Sequence, residues 1–242
     1  MKRRLDDLLV ARGLAESRSV AQRLVLGGKI RVRDVPSPKP GNTYPEDVGI
    51  ELLAPDRFVS RGGEKLEGAF EAFGLDVEGL RCLDVGASTG GFTDCLLQHG
   101  AAEVVALDVG HGQLHPSLRA DPRVTVIEKF NARHLTPADL PWRPEFAVCD
   151  VSFISLRLIL PPMADVVAPG SQLVTLIKPQ FEAGREKVGR GGVVRDEATR
   201  LEVVETIRGF GLSIGLTWNG VCVSPITGPK GNVEYVAWWT KG

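Results

Sequence analysis

Apolar positions along residues 81–241 fall into two alternating patterns. Short unbroken apolar runs near 81–86, 103–108, 124–128, 146–151 and 172–178 predict strands buried on both faces. Between them, near 91–99, 112–119, 155–167 and 196–209, apolar residues recur at helical spacing. This alternation predicts an α/β fold, a doubly wound and mainly parallel sheet with its ligand at the carboxyl ends of the strands. The rhythm changes late. "SIGLTWNGVCVSP" and "VEYVAWWTK" are joined through "ITGPKGN" with no helix between them, which predicts an antiparallel hairpin at one sheet edge.

The first 60 residues follow a different plan, so the chain is divided into 1–60 and 61–242. Leu5, Leu8, Leu9 and Leu14 lie close to helical spacing, with Gly13 placed as a stop. A second helix starts at Ser17, buries Val20, Ala21, Leu24 and Val25, and ends at Gly27-Gly28. In "KIRVR" a period of two sets Lys29, Arg31 and Arg33 on one strand face and Ile30 and Val32 on the other. Cations repeating about every 6.6 Å suit a phosphate backbone, and equally a solvated strand face. Arg18 and Arg23 on the preceding helix favour a nucleic acid, while "PSPKPGNTYPED" at 36–47 is turn-rich and closes the module.

Charge sharpens that reading. Residues 1–40 carry ten Lys/Arg against four acids, +6, whereas residues 41–242 carry 19 against 26, −7. The N-terminal module is the electropositive pole, as expected of a polyanion-binding element. No apolar run approaches the roughly 18 residues of a membrane span, and the charged start "MKRRLDDLLV" is unlike a signal peptide, so a cytoplasmic protein without membrane association is expected. Cys82, Cys95, Cys149 and Cys222 show neither C-x-x-C spacing nor Cys/His pairing; buried free thiols and no metal are expected.

The chemistry begins at "LDVGASTGGF", residues 83–92. A dinucleotide fingerprint needs Gly at 86, 88 and 91, but position 88 is Ser; a P-loop needs Lys directly after Gly91, where Phe92 stands. What remains is a tight turn that lets backbone approach a ligand, followed about 20 residues later by Asp108, which is placed to accept both hydroxyls of a ribose. A ribose without a phosphate fits S-adenosylmethionine; an ordinary strand-to-helix turn with a capping Asp is the alternative. Asp150, Lys178 and Glu234 stand at the ends of buried strands, where charged groups need partners. Lys65, on the helix before the strand at 81–86, can reach the same face; taken alone, each of these charges also reads as a solvated rim residue, but four converge.

Two resemblances follow. "GLAESRSVAQRLVLGGKIRVRDVPSPKPGNTY" resembles the alpha-L RNA-binding fold of ribosomal protein S-four, although Val32-Arg33-Asp34 replaces the Val-Asn-Gly common at the hairpin tip. The charged strand-end set resembles the Lys-Asp-Lys-Glu tetrad of FtsJ-like 2′-O-ribose methyltransferases, here Lys65, Asp150, Lys178 and Glu234. Together with "SRGGEKLEGA", "LDVGASTGGFTD", "DVGHGQL", "NARHLTP", "DVSFISL", "IKPQFEAG" and "GNVEY", it resembles the TlyA family of ribosomal RNA methyltransferases, some of which bear haemolysin names.

The resemblance implies a Rossmann-like S-adenosylmethionine-dependent methyltransferase domain behind a small N-terminal α+β RNA-binding domain. It implies cofactor contacts from Gly86, Ala87, Ser88, Thr89, Gly90, Gly91, Phe92, Asp108, Val109, Asn131 and Asp150, with RNA contacts from Arg4, Arg18, Arg23, Lys29, Arg31, Arg33, Arg61, Lys187 and Arg190. Lys178 is expected to act on the ribose 2′-hydroxyl as a base or positioning group. The partner is ribosomal RNA or a ribosomal subunit, and the end of the chain soon after the last strand resembles members restricted to the large-subunit RNA, with a cytidine as target. The glycine-rich "EAGREKVGRGGVVRD" at 182–196 reads either as a loop that orders on RNA or as a plain surface loop. A non-catalytic assembly factor and a membrane-active haemolysin are the competing classes.

Overall fold

The computed structural model describes residues 2–53, 57–228 and 230–242; Pro229, in the expected hairpin connection, lies outside them. The chain forms two compact units, Met1–Arg57 and Phe58–Gly242.

In the N-terminal unit β1 (Lys2–Arg4) leads into α1 (Leu5–Ala11), and α2 (Arg18–Leu26) into β2 (Ile30–Val32). Ser17 caps α2 by accepting the Val20 N–H at 3.3 Å. Two short strands follow, β3 (Thr43–Pro45) antiparallel to β1 and β4 (Ile50–Leu52) antiparallel to β2. Leu5, Leu9, Ala21, Val25, Ile30 and Val32 form the core; Val20 and Leu24 pack only at its margin. At the hairpin tip Asp34 adopts φ 61°, a left-handed conformation that Asp tolerates better than most residues.

The second unit opens with α3 (Gly62–Phe73), which Gly74 ends at φ 63°. Strand β5 (Arg81–Val85), α4 (Gly91–Gln98), β6 (Glu103–Leu107), α5 (Pro116–Arg119), β7 (Val124–Ile127) and β8 (Phe146–Cys149) follow in turn. Then come α6 (Leu160–Val166), β9 (Gln172–Ile177), α7 (Pro179–Glu182), α8 (Glu197–Ser213), β10 (Leu216–Val223) and β11 (Tyr235–Lys241). The seven strands order as β10-β11-β9-β8-β5-β6-β7, parallel except that β10 and β11 form an antiparallel hairpin at one edge. The predicted α/β fold class is the observed one.

Period-two alternation divides the sheet's side chains between two cores. Leu83, Val85, Ala147, Cys149, Leu173 and Ile177 enter one face; Cys82, Phe146, Val148, Val174 and Leu176 enter the other. Burying both faces makes these strands almost wholly apolar, which is why they are legible as runs. Of the four free cysteines, Cys82, Cys95 and Cys149 are buried, but Cys222 on the edge strand β10 is only half-buried. The expectation of four buried thiols is corrected there, since an edge strand has one neighbour and one open side.

Candidate functional site

The charged residues meet because of sheet order. Strands β5, β8 and β9 are neighbours, so Gly86, Asp150 and Lys178, each just beyond a strand's carboxyl end, come out side by side. Strand β11 runs antiparallel to β9 with Tyr235 opposite Ile177, which places the preceding residue, Glu234, at that same end. Lys65 arrives from the first turn of α3.

Lys65 Nζ lies 2.7 Å from Glu234 Oε2 and 3.5 Å from Asp150 Oδ2. Lys178 Nζ lies 2.5 Å from Asp150 Oδ1, an ion pair that lacks hydrogen-bond alignment, and donates to Ser152 Oγ at 2.8 Å. Gln180 donates to Glu234 Oε1 at 2.9 Å. Glu234 is 1% exposed, Lys178 7% and Lys65 8%. Two cations and two anions therefore balance in a nearly dry cluster, where an unmatched charge would be costly. Ser152 and Gln180 carried no signal in the sequence because neither residue type is distinctive at a loop position.

This cluster forms part of the wall of a cavity of about 830 Å³, whose boundary also includes Arg61, Phe92, Phe153, Phe181 and Lys230. An adjoining cavity of about 480 Å³ is bounded by Gly86, Ser88, Asp108, Val109, Asn131 and Asp150. Gly86 adopts φ 86°, and a Cβ there would lie 2.9 Å from the Asp150 carbonyl oxygen, so glycine lets the loop run against the end of β8. Asp108 accepts the Ser88 N–H at 2.8 Å and the Gly110 N–H at 2.6 Å, leaving further lone pairs of its carboxylate for other donors. Thr89 and Gly90 line neither cavity: the Thr89 carbonyl accepts from His115 N–H, and Gly90 is packed under Leu114 and Leu118.

Phe153 stands at the junction of the two cavities, 90% exposed, with φ 64°. Its ring lies 5.0 Å from that of Phe181. A large apolar side chain in solvent on a left-handed backbone is costly twice over, a combination that marks functional positions. Asn232, 4% exposed, ties the glycine-rich loop to the terminal hairpin by donating to Gly192 O at 2.9 Å and accepting from Val194 N–H at 3.0 Å.

The expected RNA contacts divide. Lys29, Arg31 and Arg33 flank or occupy β2, whose Ile30 and Val32 point inward while Arg31 points out. Arg31 also pairs with Glu51 across the ladder at 3.1 Å. Arg23 is exposed near the end of α2. Arg4 and Arg18 instead converge on the fully buried carboxylate of Asp6, at 2.8 and 3.1 Å, and Gln22 adds a third donor at 2.9 Å. The Arg4 hydrogen bond, helped by Gln22 and Arg18, holds the Asp6 carboxyl well below the usual carboxylate range. In the second unit Lys187 pairs with Glu202 at 2.5 Å, Arg190 is exposed, and Arg61 borders the larger cavity.

Comparison with known proteins identifies the family. The FtsJ-like methyltransferase model matches residues 58–241 and the S4 domain model residues 3–32. Over 237 residues the chain is 47% identical to the 16S/23S rRNA (cytidine-2′-O)-methyltransferase TlyA of Mycobacterium tuberculosis, with 97% of this chain and 88% of that protein covered. It is 45% identical over 235 residues to Hemolysin A of Brachyspira hyodysenteriae, covering 97% and 98%. It is 34% identical over 203 residues to the 23S rRNA (cytidine-2′-O)-methyltransferase TlyA of Campylobacter jejuni, covering 81% and 78%. A solved Streptococcus thermophilus chain that carries a provisional hemolysin name superposes with a TM-score of 0.77 at 44% identity, covering 99% of this chain and 88% of that one. The N-methyltransferase NodS of Bradyrhizobium japonicum, solved with S-adenosyl-L-homocysteine, shares the fold alone at a TM-score of 0.52 and 14% identity, covering 77% and 89%. With a methyltransferase model spanning most of its length and nearly half its residues identical to TlyA, the chain belongs to the FtsJ-like methyltransferase family, in its TlyA group.

Proposed function

We propose that the chain transfers the methyl group of S-adenosylmethionine to the ribose 2′-hydroxyl of a cytidine in large-subunit ribosomal RNA. The observation that carries this reading is the buried Lys65-Glu234-Asp150-Lys178 cluster, set at adjacent strand ends in a cavity that adjoins the Asp108 cavity. The relatives named for 16S/23S and for 23S rRNA share the large-subunit RNA, which supports that choice of substrate.

The smaller cavity fits the cofactor's chemistry. A glycine turn pressed against the β8 end, an acid with spare lone pairs and a turn whose own residues 86–92 include no Lys or Arg suit a ribose without a phosphate; the cation bordering this cavity, Arg133, donates to Asn131 Oδ1. Gly86, Ser88, Asp108, Val109 and Asn131 would hold it, and Asp150 separates it from the lysines. Bound there, S-adenosylmethionine would supply an electrophilic methyl on a positively charged sulfur.

The protein's own part is positioning and charge. Lys178, held by Asp150 and Ser152, presents its ammonium as a donor to the 2′-oxygen and stabilises negative charge growing there, while the hydroxyl proton passes to solvent at the open side of the cavity. Lys65, clamped between Glu234 and Asp150, adds a second positive centre and fixes Asp150 from its other oxygen. Fixing nucleophile and methyl in line contributes through lost orientational freedom. Phe153, exposed beside Lys178's pocket, offers a face on which an unstacked base can lie.

The basic N-terminal strand face is assigned to the RNA backbone, and a ribosomal RNA substrate supports a cytoplasmic location. No helix among the described residues is long and apolar enough to cross a membrane. Mapping 2′-O-methyl groups on rRNA from cells with and without the gene, alongside methyl transfer by purified protein, tests the assignment. Loss of one ribose methyl on large-subunit RNA is expected. Transfer to a base atom, or an unchanged methyl map together with no transfer in vitro, would overturn it.

A further inference from the structure

On the far side of α3 from the catalytic cluster, three side chains with ligand chemistry converge. Cys95 and His99 sit one turn apart on or just after α4, and Glu67 faces them from α3. Their ligand atoms all lie within 4.8 Å of one another. Glu67 Oε2 is the shared centre: His99 Nε2 is 2.7 Å away, and Cys95 Sγ donates to it at 3.7 Å. The His99 ring is oriented by stacking on Phe70, with centroids 4.1 Å apart and planes within 9°. Cys95 is fully buried, while Glu67 and His99 are partly exposed and leave the cluster open to an ion from solvent.

We propose that Glu67, Cys95 and His99 form a zinc site that ties α3 to α4. A tetrahedral zinc ion with ordinary bond lengths holds its ligand atoms roughly 3.3–3.6 Å apart. The observed separations bracket that range, so shifts of about an ångström suffice. One thiolate, one imidazole and one carboxylate make a mixed S/N/O set suited to a borderline-soft divalent ion. Charge also balances: the thiolate and the carboxylate neutralise Zn²⁺, with imidazole neutral. Binding releases the thiol proton to solvent, and a water would fill the fourth position.

The sequence alone gives this little visibility. Cys95-x-x-x-His99 is a Cys/His pair at helical spacing, contrary to the expectation of none, but it lacks a second close-spaced pair, and Glu67 comes from 28 residues upstream. Its place in the fold gives it a consequence, because α3 carries Lys65 and α4 begins at the glycine-rich turn. An ion joining the two helices fixes one wall of the pocket against another.

The test is metal binding itself, independent of methyl transfer. Full-length protein is stripped with chelator, dialysed and titrated with Zn²⁺, then with Co²⁺ as a spectroscopic probe. One equivalent of zinc and a near-ultraviolet sulfur-to-cobalt charge-transfer band are expected. Cys95→Ser should abolish the band, and both Cys95→Ser and His99→Gln should weaken zinc binding by more than about 100-fold, beyond the loss from removing an outer hydrogen-bond partner. Cys222→Ser should change neither. No zinc uptake by the stripped protein, or a cobalt band that survives Cys95→Ser, overturns the proposal. If Cys95→Ser does not fold, His99→Gln decides alone, and unaltered zinc affinity in that variant overturns it.

Discussion

Asp150 holds Lys178 at 2.5 Å through one carboxylate oxygen and faces Lys65 at 3.5 Å through the other. One carboxylate thus sets the separation of two ammonium groups that would otherwise repel each other in a largely buried cluster. Lys178 is assigned to the 2′-oxygen, whereas the cofactor would be held by Gly86, Ser88 and Asp108. Lys178→Ala should therefore cut methyl transfer about 100-fold or more while leaving cofactor affinity within a few-fold. Lys178→Arg keeps a cation and should retain more activity than the Ala variant. Single-turnover transfer at the wild-type rate in Lys178→Ala would remove the residue from the mechanism, and an Arg variant as inactive as Ala would make Lys178 a proton acceptor rather than a donor.

Phe153 combines a left-handed backbone with an exposed ring. Its left-handed backbone costs on the order of 1–2 kcal/mol for a non-glycine residue, and its exposed ring recovers little by burial. Phe153→Gly should be at least as stable as wild type in thermal unfolding, against the usual outcome of truncating a Phe. The same variant should bind substrate RNA about 5–150-fold more weakly, the scale of one lost base stack at about 1–3 kcal/mol. Phe153→Tyr should restore affinity. Unchanged RNA affinity in the glycine variant would leave the strain without this function.

What was readable in the chain follows its physics. Parallel strands buried on both faces are continuous apolar runs, so β5, β6, β8 and β9 are located to within a residue or two, as is the partly exposed edge strand β7, and the strand order brings Asp150 and Lys178 together. The strands β1, β3 and β4 were not anticipated, because three residues are too few to show a period and their pairing is fixed by distant chain. The second role of Arg4 and Arg18, holding the buried carboxylate of Asp6, was not legible, because Asp6 sits in the first turn of a short helix where burial leaves no mark in sequence. Cys95 and His99 look like core residues until Glu67 is brought across from α3.

Asp84, on β5 directly beneath the glycine turn, is fully buried. Its Oδ2 accepts from Thr93 Oγ at 2.7 Å, and its Oδ1 has no partner among the described residues. Burial pushes its carboxyl up to about 7, partly offset by the Thr93 hydroxyl and reinforced by the charge of Asp150. The folded value lies above the unfolded one of 3.8, so the folded state keeps a proton that the unfolded chain has lost. This group's contribution is complete below about pH 4 and is lost as pH rises through about 7, amounting to roughly 4 kcal/mol. Asp84→Asn removes that dependence. The melting temperature of the variant relative to wild type should rise between pH 5 and pH 8, and parallel profiles would show that Asp84 titrates normally.

Arg31 and Arg18 separate RNA binding from stability. Arg31 meets Glu51 at 3.1 Å with both side chains well exposed, and such pairs contribute little to folding. Arg31→Ala should leave thermal unfolding unchanged while lowering the slope of log affinity against log salt by about 0.7–0.9, the loss of one phosphate contact. Glu51→Ala, which frees the guanidinium, should leave that slope intact and strengthen binding. Arg18 also serves the buried Asp6, which without it would keep Arg4, Gln22 and the Asp7 N–H. Arg18→Ala should therefore lower the unfolding temperature of the N-terminal unit as well as RNA affinity, because a buried carboxylate loses one of its cations. Anisotropy titrations across a potassium chloride series, paired with thermal melts, read both quantities. An unaltered salt slope in Arg31→Ala would make the basic strand a solvated face, and a full-strength melt in Arg18→Ala would show that the remaining donors suffice to hold Asp6.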